Sequence, residues 1–223
     1  QRRGLPPLTR FAAAMARFAL SAMARIRVEV KGDLPQAGPL IVVANHMSNA
    51  DPPLVAGWLT PLLGRQMHIL AKEALFVGPV GAVLRRLGAT PVRSGGSDIE
   101  AYRVALAILE RGEILCIFPE GTRSPDGVMA EPKPGVAMLA TRSGVPILPV
   151  GVSGSDRFLG RGRRFPRIGT RITLRVGSTF TVTLDPAQPR RQQIEAATNQ
   201  IMGHVAALVD ERHRGRFATA GPV

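Results

Sequence analysis

Apolar and polar positions along the chain follow two periods, one typical of strands and one typical of helices. Short runs of apolar and β-branched residues predict strands at Ile26–Val30, Leu40–Ala44, Met67–Ala71, Ile114–Phe118, Ile147–Val152 and Ile172–Val176. Longer runs with helical spacing predict helices at Leu54–Leu63, Ala74–Leu87, Asp98–Glu110, Val136–Ser143 and Arg191–Arg212. Because strands and helices alternate without a dividing linker, we expect a single α/β domain with a mixed, largely parallel sheet flanked by helices.

A further helix is predicted near the start of the chain, from Pro7 to about Ala24. One face is apolar and carries Phe11, Met15 and Phe18, and arginines recur elsewhere on the helix. Such a helix can lie in a membrane interface or pack on its own domain, and the sequence leaves both alternatives open. We therefore divide the chain into an N-terminal amphipathic helix (1–25), an α/β domain (26–217) and a disordered tail (218–223).

Composition is that of a globular protein. Of the 223 residues, 45% are apolar and 20% charged, which is too apolar for a disordered chain. The single cysteine, Cys116, excludes a disulfide framework and a cysteine-rich zinc module. His68, His204 and His213 show no metal-ligand spacing with acidic residues, so no metal site is predicted. No segment is predicted to be a transmembrane helix or a secretory signal.

The net charge is the most unusual property of the composition. Lysine and arginine number 29 against 16 acidic residues, which gives a formal charge of +13 and a pI near 11.6. Such a charge favours nucleic acid, an anionic membrane surface or phosphorylated substrates as partners. One Trp and one Tyr are too few for aromatic stacking on bases, so we expect an anionic membrane surface and no nucleic acid.

Arginines are concentrated between Asp156 and Arg171, where they are interleaved with Phe158, Leu159 and Phe165. This segment can be a solvated loop or a contact for anionic lipid. It can also bind the phosphates of coenzyme A or an acidic acyl carrier protein, and the sequence does not decide among these alternatives.

The first motif with chemical potential follows the strand Leu40–Ala44 and has the sequence Asn-His-Met-Ser-Asn-Ala-Asp. His46 and Asp51 can pair across this loop, so that the carboxylate fixes the imidazole tautomer and the second ring nitrogen can accept a proton. Asp51 also precedes Pro52 and Pro53, a pattern typical of a helix N-cap followed by proline at the first helical position. The two interpretations are compatible.

The second motif, Phe118–Ser124, follows the strand Ile114–Phe118. Its Pro and Gly residues predict a tight turn that presents Glu120 and Arg123 at the edge of the sheet. A guanidinium at that position is suited to bidentate phosphate binding. The alternative is a surface turn with a Glu–Arg ion pair.

Together the motifs resemble the glycerolipid acyltransferase family, and most closely its bacterial 1-acylglycerol-3-phosphate (lysophosphatidic acid) acyltransferases. The resemblance runs in the family's order from about Leu40 to Ser153, roughly half of the chain. The family's first block, Asn-His-x-Ser-x-x-Asp, is matched by Asn45, His46, Ser48 and Asp51, and its third by Phe118–Ser124. Its second region is matched within residues 71–93, and its later blocks by Lys133–Gly135 and Val145–Val150.

The resemblance implies roles for individual residues. His46 is expected to act as general base toward the acceptor hydroxyl, and Asp51 to orient its imidazole. The family usually has one more residue before the arginine of its second region, whereas Arg93 follows Val92 directly here. The expected substrate-binding residues are Arg123 and Arg93 at the acceptor phosphate, Glu120, Gly121 and Thr122 around the acceptor, and Lys72 at the phosphate or developing oxyanion.

The implied reaction moves a fatty acyl group from an acyl thioester to the free hydroxyl of 1-acylglycerol 3-phosphate, giving phosphatidic acid. Acyl-CoA or acyl carrier protein would supply the thioester as co-substrate, and no cofactor is expected. Peripheral association with the cytoplasmic face of the cell membrane is expected. The alternatives are the same chemistry on glycerol 3-phosphate, another lysophospholipid or a glycolipid, and a non-catalytic basic protein that binds lipid or nucleic acid.

Overall fold

Seven strands form one sheet in the computed structural model, which describes residues 4–92, 98–185 and 187–218. In chain order they are β1 (Ala24–Val30), β2 (Leu40–Ala44), β3 (Met67–Lys72), β4 (Ala89–Val92), β5 (Ile114–Ile117), β6 (Ile147–Ser153) and β7 (Thr170–Val176). Their spatial order is β1-β7-β6-β2-β5-β3-β4, and only β6 and β7 are antiparallel neighbours. The predicted mixed, largely parallel sheet is therefore confirmed.

Strand β4 was not predicted from the sequence. It has four residues, and Pro91 interrupts its pattern. Proline cannot donate a hydrogen bond to a neighbouring strand, so it occurs mainly in edge strands. β4 lies at the end of the sheet and pairs with β3, with Pro91 opposite Ala71.

The helices flank this sheet. They are α1 (Pro7–Met23), α2 (Asp51–Leu63), α3 (Gly78–Arg86), α4 (Asp98–Glu110), α5 (Gly135–Ser143), α6 (Ser155–Leu159) and α7 (Arg190–Ala206). Among the described residues, none of them combines the length and the hydropathy needed to cross a membrane. Ser97 and Glu100 predict a capping box at the start of α4, but Ser97 lies outside the described residues. The predicted tail at 218–223 lies outside them as well, except for Ala218.

The helix predicted over Ala74–Leu87 is confirmed only from Gly78 to Arg86, and its predicted start is wrong. The segment forms a short 3₁₀ turn, Glu73–Leu75, and then α3. Helix α3 begins at Gly78, whose φ of +54° is a conformation that other residues rarely adopt. Gly81 then packs so closely on Phe76 that a Cβ would lie 2.3 Å from the Phe76 carbonyl carbon.

The helix predicted over Arg191–Arg212 is too long, because α7 ends at Ala206. Beyond it, Leu208 crosses β6 at Gly151, where a Cβ would lie 2.6 Å from the Leu208 backbone. The Asp210 N–H donates to Ser153 Oγ at 2.9 Å. These contacts with β6 draw the chain away from the helix axis. Helix α6 was also not predicted, since its five residues are too few for a periodic pattern.

Two apolar layers cover the sheet, one on each face. Alternate residues of β2 point to opposite faces, as in any strand. Ile41 and Val43 join the layer formed with α4, α5 and α7, whereas Leu40 and Val42 join the layer formed with α1 and α2. Every residue of β2 is buried, so the loop that follows it starts from a fixed point.

Helix α1 packs on the domain and also exposes an apolar face. Its small buried residues face α2, where Gly57 lies so close that a Cβ there would be 3.5 Å from Ala16 Cβ. Phe11 and Phe18 on the predicted apolar face remain 64% and 71% exposed. Phe11 and Phe18 therefore do not attach α1 to the domain, whereas Leu20 of the same helix is buried in the core.

Most strands end at the same edge of the sheet. We call it the motif edge, because His46 and Glu120 follow the ends of β2 and β5 there. Strands β1 and β7 run the opposite way and begin at this edge. The N–H of Gly169, just before β7, donates to the carbonyl of Met23 at the end of α1 at 2.8 Å. The motif edge therefore also holds the end of α1 and the start of β7.

We expect Gly154→Ala to destabilise the fold more than Gly38→Ala. Both glycines have a positive φ, +87° and +77°, which costs another residue about 1–2 kcal/mol. At Gly154 a Cβ would also lie 2.2 Å from the Arg171 carbonyl oxygen, whereas Gly38 has no atom within 4 Å of that position. Overpacking should add about 1–3 kcal/mol at Gly154. Urea unfolding measures both losses, and equal losses would contradict the role of this close approach.

Candidate active site

The loop of residues 45–51, here called the first motif loop, is anchored by side chains at its start and middle. Asn45 makes two hydrogen bonds with the backbone of Val152 in β6: its Nδ2 donates to the carbonyl at 2.9 Å, and its Oδ1 accepts from the N–H at 2.8 Å. Ser48 Oγ donates to the carbonyl of Leu159 at 2.9 Å. The loop is thus held against β6 and α6.

Asp51 is completely buried, and one of its oxygens accepts the hydrogen bonds that organise this loop. Oδ2 accepts the backbone N–H groups of Met47 and Ser48, each at 2.7 Å. The same oxygen lies 3.1 Å from His46 Nδ1. A carboxylate there requires Nδ1 to carry the proton, so Nε2 is left as the proton-accepting nitrogen of the neutral ring.

The prediction that Asp51 caps helix α2 is wrong. The helix begins at Asp51 itself, and Ala50 at the N-cap makes no side-chain capping bond. The carboxylate turns back toward residues that precede it in the chain, because Met47, Ser48 and His46 present their N–H groups there.

The second motif loop, residues 118–124, meets the first through the backbone of His46. The His46 N–H donates to Glu120 Oε1 at 2.7 Å, and the His46 carbonyl accepts from the Ser124 N–H at 2.9 Å. The Phe118 ring lies against the imidazole, with 4.6 Å between the ring centroids. The structure therefore places the two motifs in direct contact, although 74 residues separate Glu120 from His46 in the chain.

Glu120 is a buried carboxyl group that joins three segments of backbone. Oε1 accepts from His46, and Oε2 accepts from the N–H of Ala130 at 2.8 Å. Burial raises the pKa of Glu120 to about 7, because its loss of hydration outweighs the two N–H donors, which lower it. Its contacts fit a positioning role beneath His46.

The other predicted residues of the second motif loop form a turn at the surface. Gly121 has a φ of +66° and donates its N–H to the Phe118 carbonyl at 3.0 Å. Thr122 is exposed and Arg123 is half-buried. Within the described part of the chain, Arg123 has no ion-pair partner, so the alternative of a Glu120–Arg123 pair is not what the structure shows.

Lys72 lies at the motif edge but not in contact with this group. It is the exposed last residue of β3, beside Val92 of β4. Strand β5 separates β3 from β2, which corresponds to a lateral distance of about 10 Å. Arg93 follows Val92 and lies outside the described residues.

Sequence reasoning missed a C-terminal segment, residues 210–217, that bonds to the backbone just after the second motif loop and so supports that loop through Glu120. His213 is buried, and its Nδ1 forms a hydrogen bond with the Gly127 carbonyl. The His213 carbonyl accepts from the Met129 N–H at 2.8 Å, one residue before the N–H that holds Glu120. No sequence signal could reveal this contact, because its partners are backbone groups 86 residues away.

The arrangement is suited to proton abstraction from a hydroxyl group. It provides an imidazole with a buried carboxylate on one nitrogen, and a guanidinium on the adjoining loop. Cys116 lies in the core, and burial raises the pKa of its thiol to about 12, so it is not a reactive thiolate. Ser124 is buried with its hydroxyl bonded to Asp126.

Comparison with known proteins connects this geometry to a family. The model of the acyltransferase family matches residues 25–153, which is more than half of the chain and includes both motif loops. The chain belongs to the acyltransferase family. This chain, here called the acyltransferase, is 34% identical over 146 residues to human 1-acyl-sn-glycerol-3-phosphate acyltransferase alpha. The aligned residues cover 63% of this chain and 50% of the relative.

Two bacterial proteins extend the comparison. The 1-acyl-sn-glycerol-3-phosphate acyltransferase of Pseudomonas aeruginosa is 27% identical over 194 residues, covering 85% of this acyltransferase and 70% of the relative. The crystal structure of the 1-acyl-sn-glycerophosphate acyltransferase from Thermotoga maritima superposes with a TM-score of 0.69 and 28% identity, covering 86% and 77% of the two chains. The acyltransferase spans about half the length of the mammalian relatives that it matches.

We expect the titration of Glu120 to appear in the pH dependence of stability. A glutamate with an ordinary pKa of 4.5 in the unfolded chain and about 7 in the fold binds its proton more tightly when folded. The free energy of unfolding should therefore fall as pH rises from 4.5 to 7, by up to about 1.4 kcal/mol per pH unit. Glu120→Gln should remove this slope in urea unfolding, whereas Glu131→Gln, an exposed neighbour, should keep it. Equal slopes in wild type and Glu120→Gln would contradict the raised pKa.

Proposed function

We propose that this acyltransferase transfers a fatty acyl group from an acyl thioester to the free sn-2 hydroxyl of 1-acylglycerol 3-phosphate, giving phosphatidic acid. The observation that carries the proposal is the His46–Asp51 pair, held by its backbone against Glu120 and Ser124 of the second motif loop. The printed names of the relatives support the choice of acceptor.

The mechanism follows from the tautomer that Asp51 imposes. His46 Nε2 takes the proton of the acceptor hydroxyl while its oxygen attacks the thioester carbonyl. The tetrahedral intermediate then collapses, the C–S bond breaks, and the imidazolium returns the proton to the thiolate that leaves. Asp51 stabilises the imidazolium between these steps. General-base assistance of this kind contributes roughly 10²–10⁴-fold to the rate.

The remaining predicted residues bind the acceptor in this proposal. Arg123 holds the acceptor phosphate, for which its planar guanidinium and its lack of an ion-pair partner within the described residues are suited. Gly121 and Thr122 shape the acceptor site, Lys72 adds positive charge at the same edge of the sheet, and Arg93 contributes to binding the acceptor phosphate. The thioester of coenzyme A or of acyl carrier protein is the co-substrate, and no cofactor takes part.

The proposed location is the cytoplasmic face of the cell membrane, with peripheral association. Two observations support it: the formal charge of +13, and the apolar face that α1 leaves uncovered. A lipid acceptor also requires the enzyme to work at a membrane surface.

Removal of the base or of its carboxylate partner should slow transfer strongly without loss of the fold. His46→Ala and Asp51→Asn should lower kcat by about 10²–10⁴-fold, because the first removes the proton acceptor and the second removes the charge that orients it. Thiol release from palmitoyl-CoA and formation of phosphatidic acid measure the rate. His68→Ala, at the opposite edge of the sheet, is the matched control and should retain wild-type turnover. Wild-type turnover in His46→Ala would rule out the mechanism.

A second test concerns the acceptor. Arg123→Gln should raise KM for lysophosphatidic acid at least about tenfold, since a charge-assisted bidentate contact is worth about 1.5–3 kcal/mol. KM for the acyl donor should change little, and Arg142→Gln on α5 should leave both constants unchanged. A strong preference of the wild type for a phosphate-free acceptor would contradict the assignment and favour the same chemistry on a glycolipid.

A further inference from the structure

The loop between α6 and β7, residues 161–168, presents an unusual surface at the motif edge, and we call it the arginine loop. Its two large apolar side chains, Phe165 and Ile168, are 76% and 77% exposed, the highest values among the large hydrophobic residues described. Four exposed arginines surround them: Arg161, Arg163, Arg164 and Arg167. Within the described part of the chain, none of these four forms an ion pair with an acidic residue.

The base of the arginine loop is fixed to the elements around the candidate active site. Gly160, just before the loop, forms an antiparallel bridge with Ser48 of the first motif loop. The Arg167 N–H donates to the Phe158 carbonyl at 2.9 Å, and Gly169 bonds to Met23 of α1. The loop therefore extends from a rigid base, and its apolar side chains do not fold back onto the domain.

The arginine loop also borders the candidate active site. Arg161 and Arg163 line a cavity of about 580 Å³ that Met47 and Ser124 line as well. Met47 follows His46 in the chain, and Ser124 follows Arg123. Any partner surface that binds the arginine loop therefore lies beside the groups that are proposed to act on the acceptor.

We propose that the arginine loop docks the enzyme on a bilayer that contains anionic phospholipid, with Phe165 and Ile168 inserted among the headgroups. Burial of exposed apolar side chains in the membrane interface contributes favourable binding free energy, and so does attraction between the surrounding arginines and anionic headgroups. An acidic carrier protein would satisfy the arginines but would not require exposed Phe and Ile side chains. The proposal rests on the proposed function only in giving the reason for docking, which is a lipid acceptor.

Helix α1 provides a second contact in the same docking mode. Its exposed Phe18 lies five residues before Met23, about 7.5 Å along the helix axis. Met23 in turn is bonded to the residue that follows the arginine loop. Both apolar surfaces therefore belong to elements that reach the motif edge, where Met47 and Ser124 line the cavity.

Vesicle binding tests the docking loop without any catalytic step. The full chain is sedimented with vesicles of phosphatidylcholine alone or mixed with phosphatidylglycerol. Arg163→Gln/Arg164→Gln should bind the mixed vesicles about 25-fold more weakly, since each charge near the surface contributes about fivefold. Phe165→Ser/Ile168→Ser should bind at least about tenfold more weakly. Met138→Ser/Arg142→Gln, a matched pair on α5, should bind as wild type does.

Insertion can be observed directly with a fluorescent reporter. In a Trp58→Phe background, Phe165→Trp provides a single indole in the arginine loop. Brominated lipid in the mixed vesicles should quench its fluorescence, whereas Met138→Trp in the same background should not be quenched. Absence of quenching at position 165, wild-type vesicle binding by both loop variants, or binding to acyl carrier protein but not to vesicles would overturn the proposal.

Comparison of two acceptors separates docking from catalysis. Loop variants should lose turnover on lysophosphatidic acid embedded in vesicles and retain it on a short-chain, monomeric lysophosphatidic acid. Equal loss on both acceptors would place the loop in the acceptor site and overturn the docking role. If the wild type transfers acyl groups to neither acceptor, the proposed function fails, and the vesicle and quenching results still decide the docking proposal on their own.

Discussion

The candidate site depends on the burial of one negative charge. A carboxylate removed from water is very unfavourable unless donors replace its hydration, and Asp51 receives three of them on a single oxygen. Two of these donors are backbone N–H groups, so the path of the first motif loop is fixed by the charge that it encloses. The orientation of the His46 ring is a consequence of the same requirement, since its Nδ1–H is the third donor.

The fold supplies what this charge requires by ending neighbouring strands at one edge. Strands β2 and β5 are adjacent and parallel, so the residues that follow them meet although they are distant in the chain. The backbone of His46 then serves both loops, bonding to Glu120 on one side and Ser124 on the other. Because Glu120 is itself buried and bonded to Ala130, a displacement of residues 127–130 would be transmitted to the imidazole.

The sequence predicts those parts of the molecule that depend on local pattern. Buried strands such as β2 and the pairing of His46 with Asp51 can be predicted, because an apolar run or a short loop is defined by residues that are close together in the chain. Prediction from the sequence fails where contacts with residues distant in the chain determine the structure. Asp51 has the local pattern of a helix cap, yet its carboxylate is taken by residues that precede it. The break before α3 and the early end of α7 likewise follow from close backbone contacts at Gly81 and Gly151. The spacing of apolar and polar residues along the chain gives no sign of these contacts.

The support that residues 210–217 give to the second motif loop has a consequence for the order in which the molecule is made. The first motif loop leaves the ribosome early, and β5 and the second motif loop follow it. The backbone around Gly127 and Met129 finds its partner only when His213 has been synthesised, more than 80 residues later. A nascent chain can thus contain every residue of both motifs before residues 210–217, which support Glu120, have been synthesised. Completion of the site is therefore a late event in synthesis.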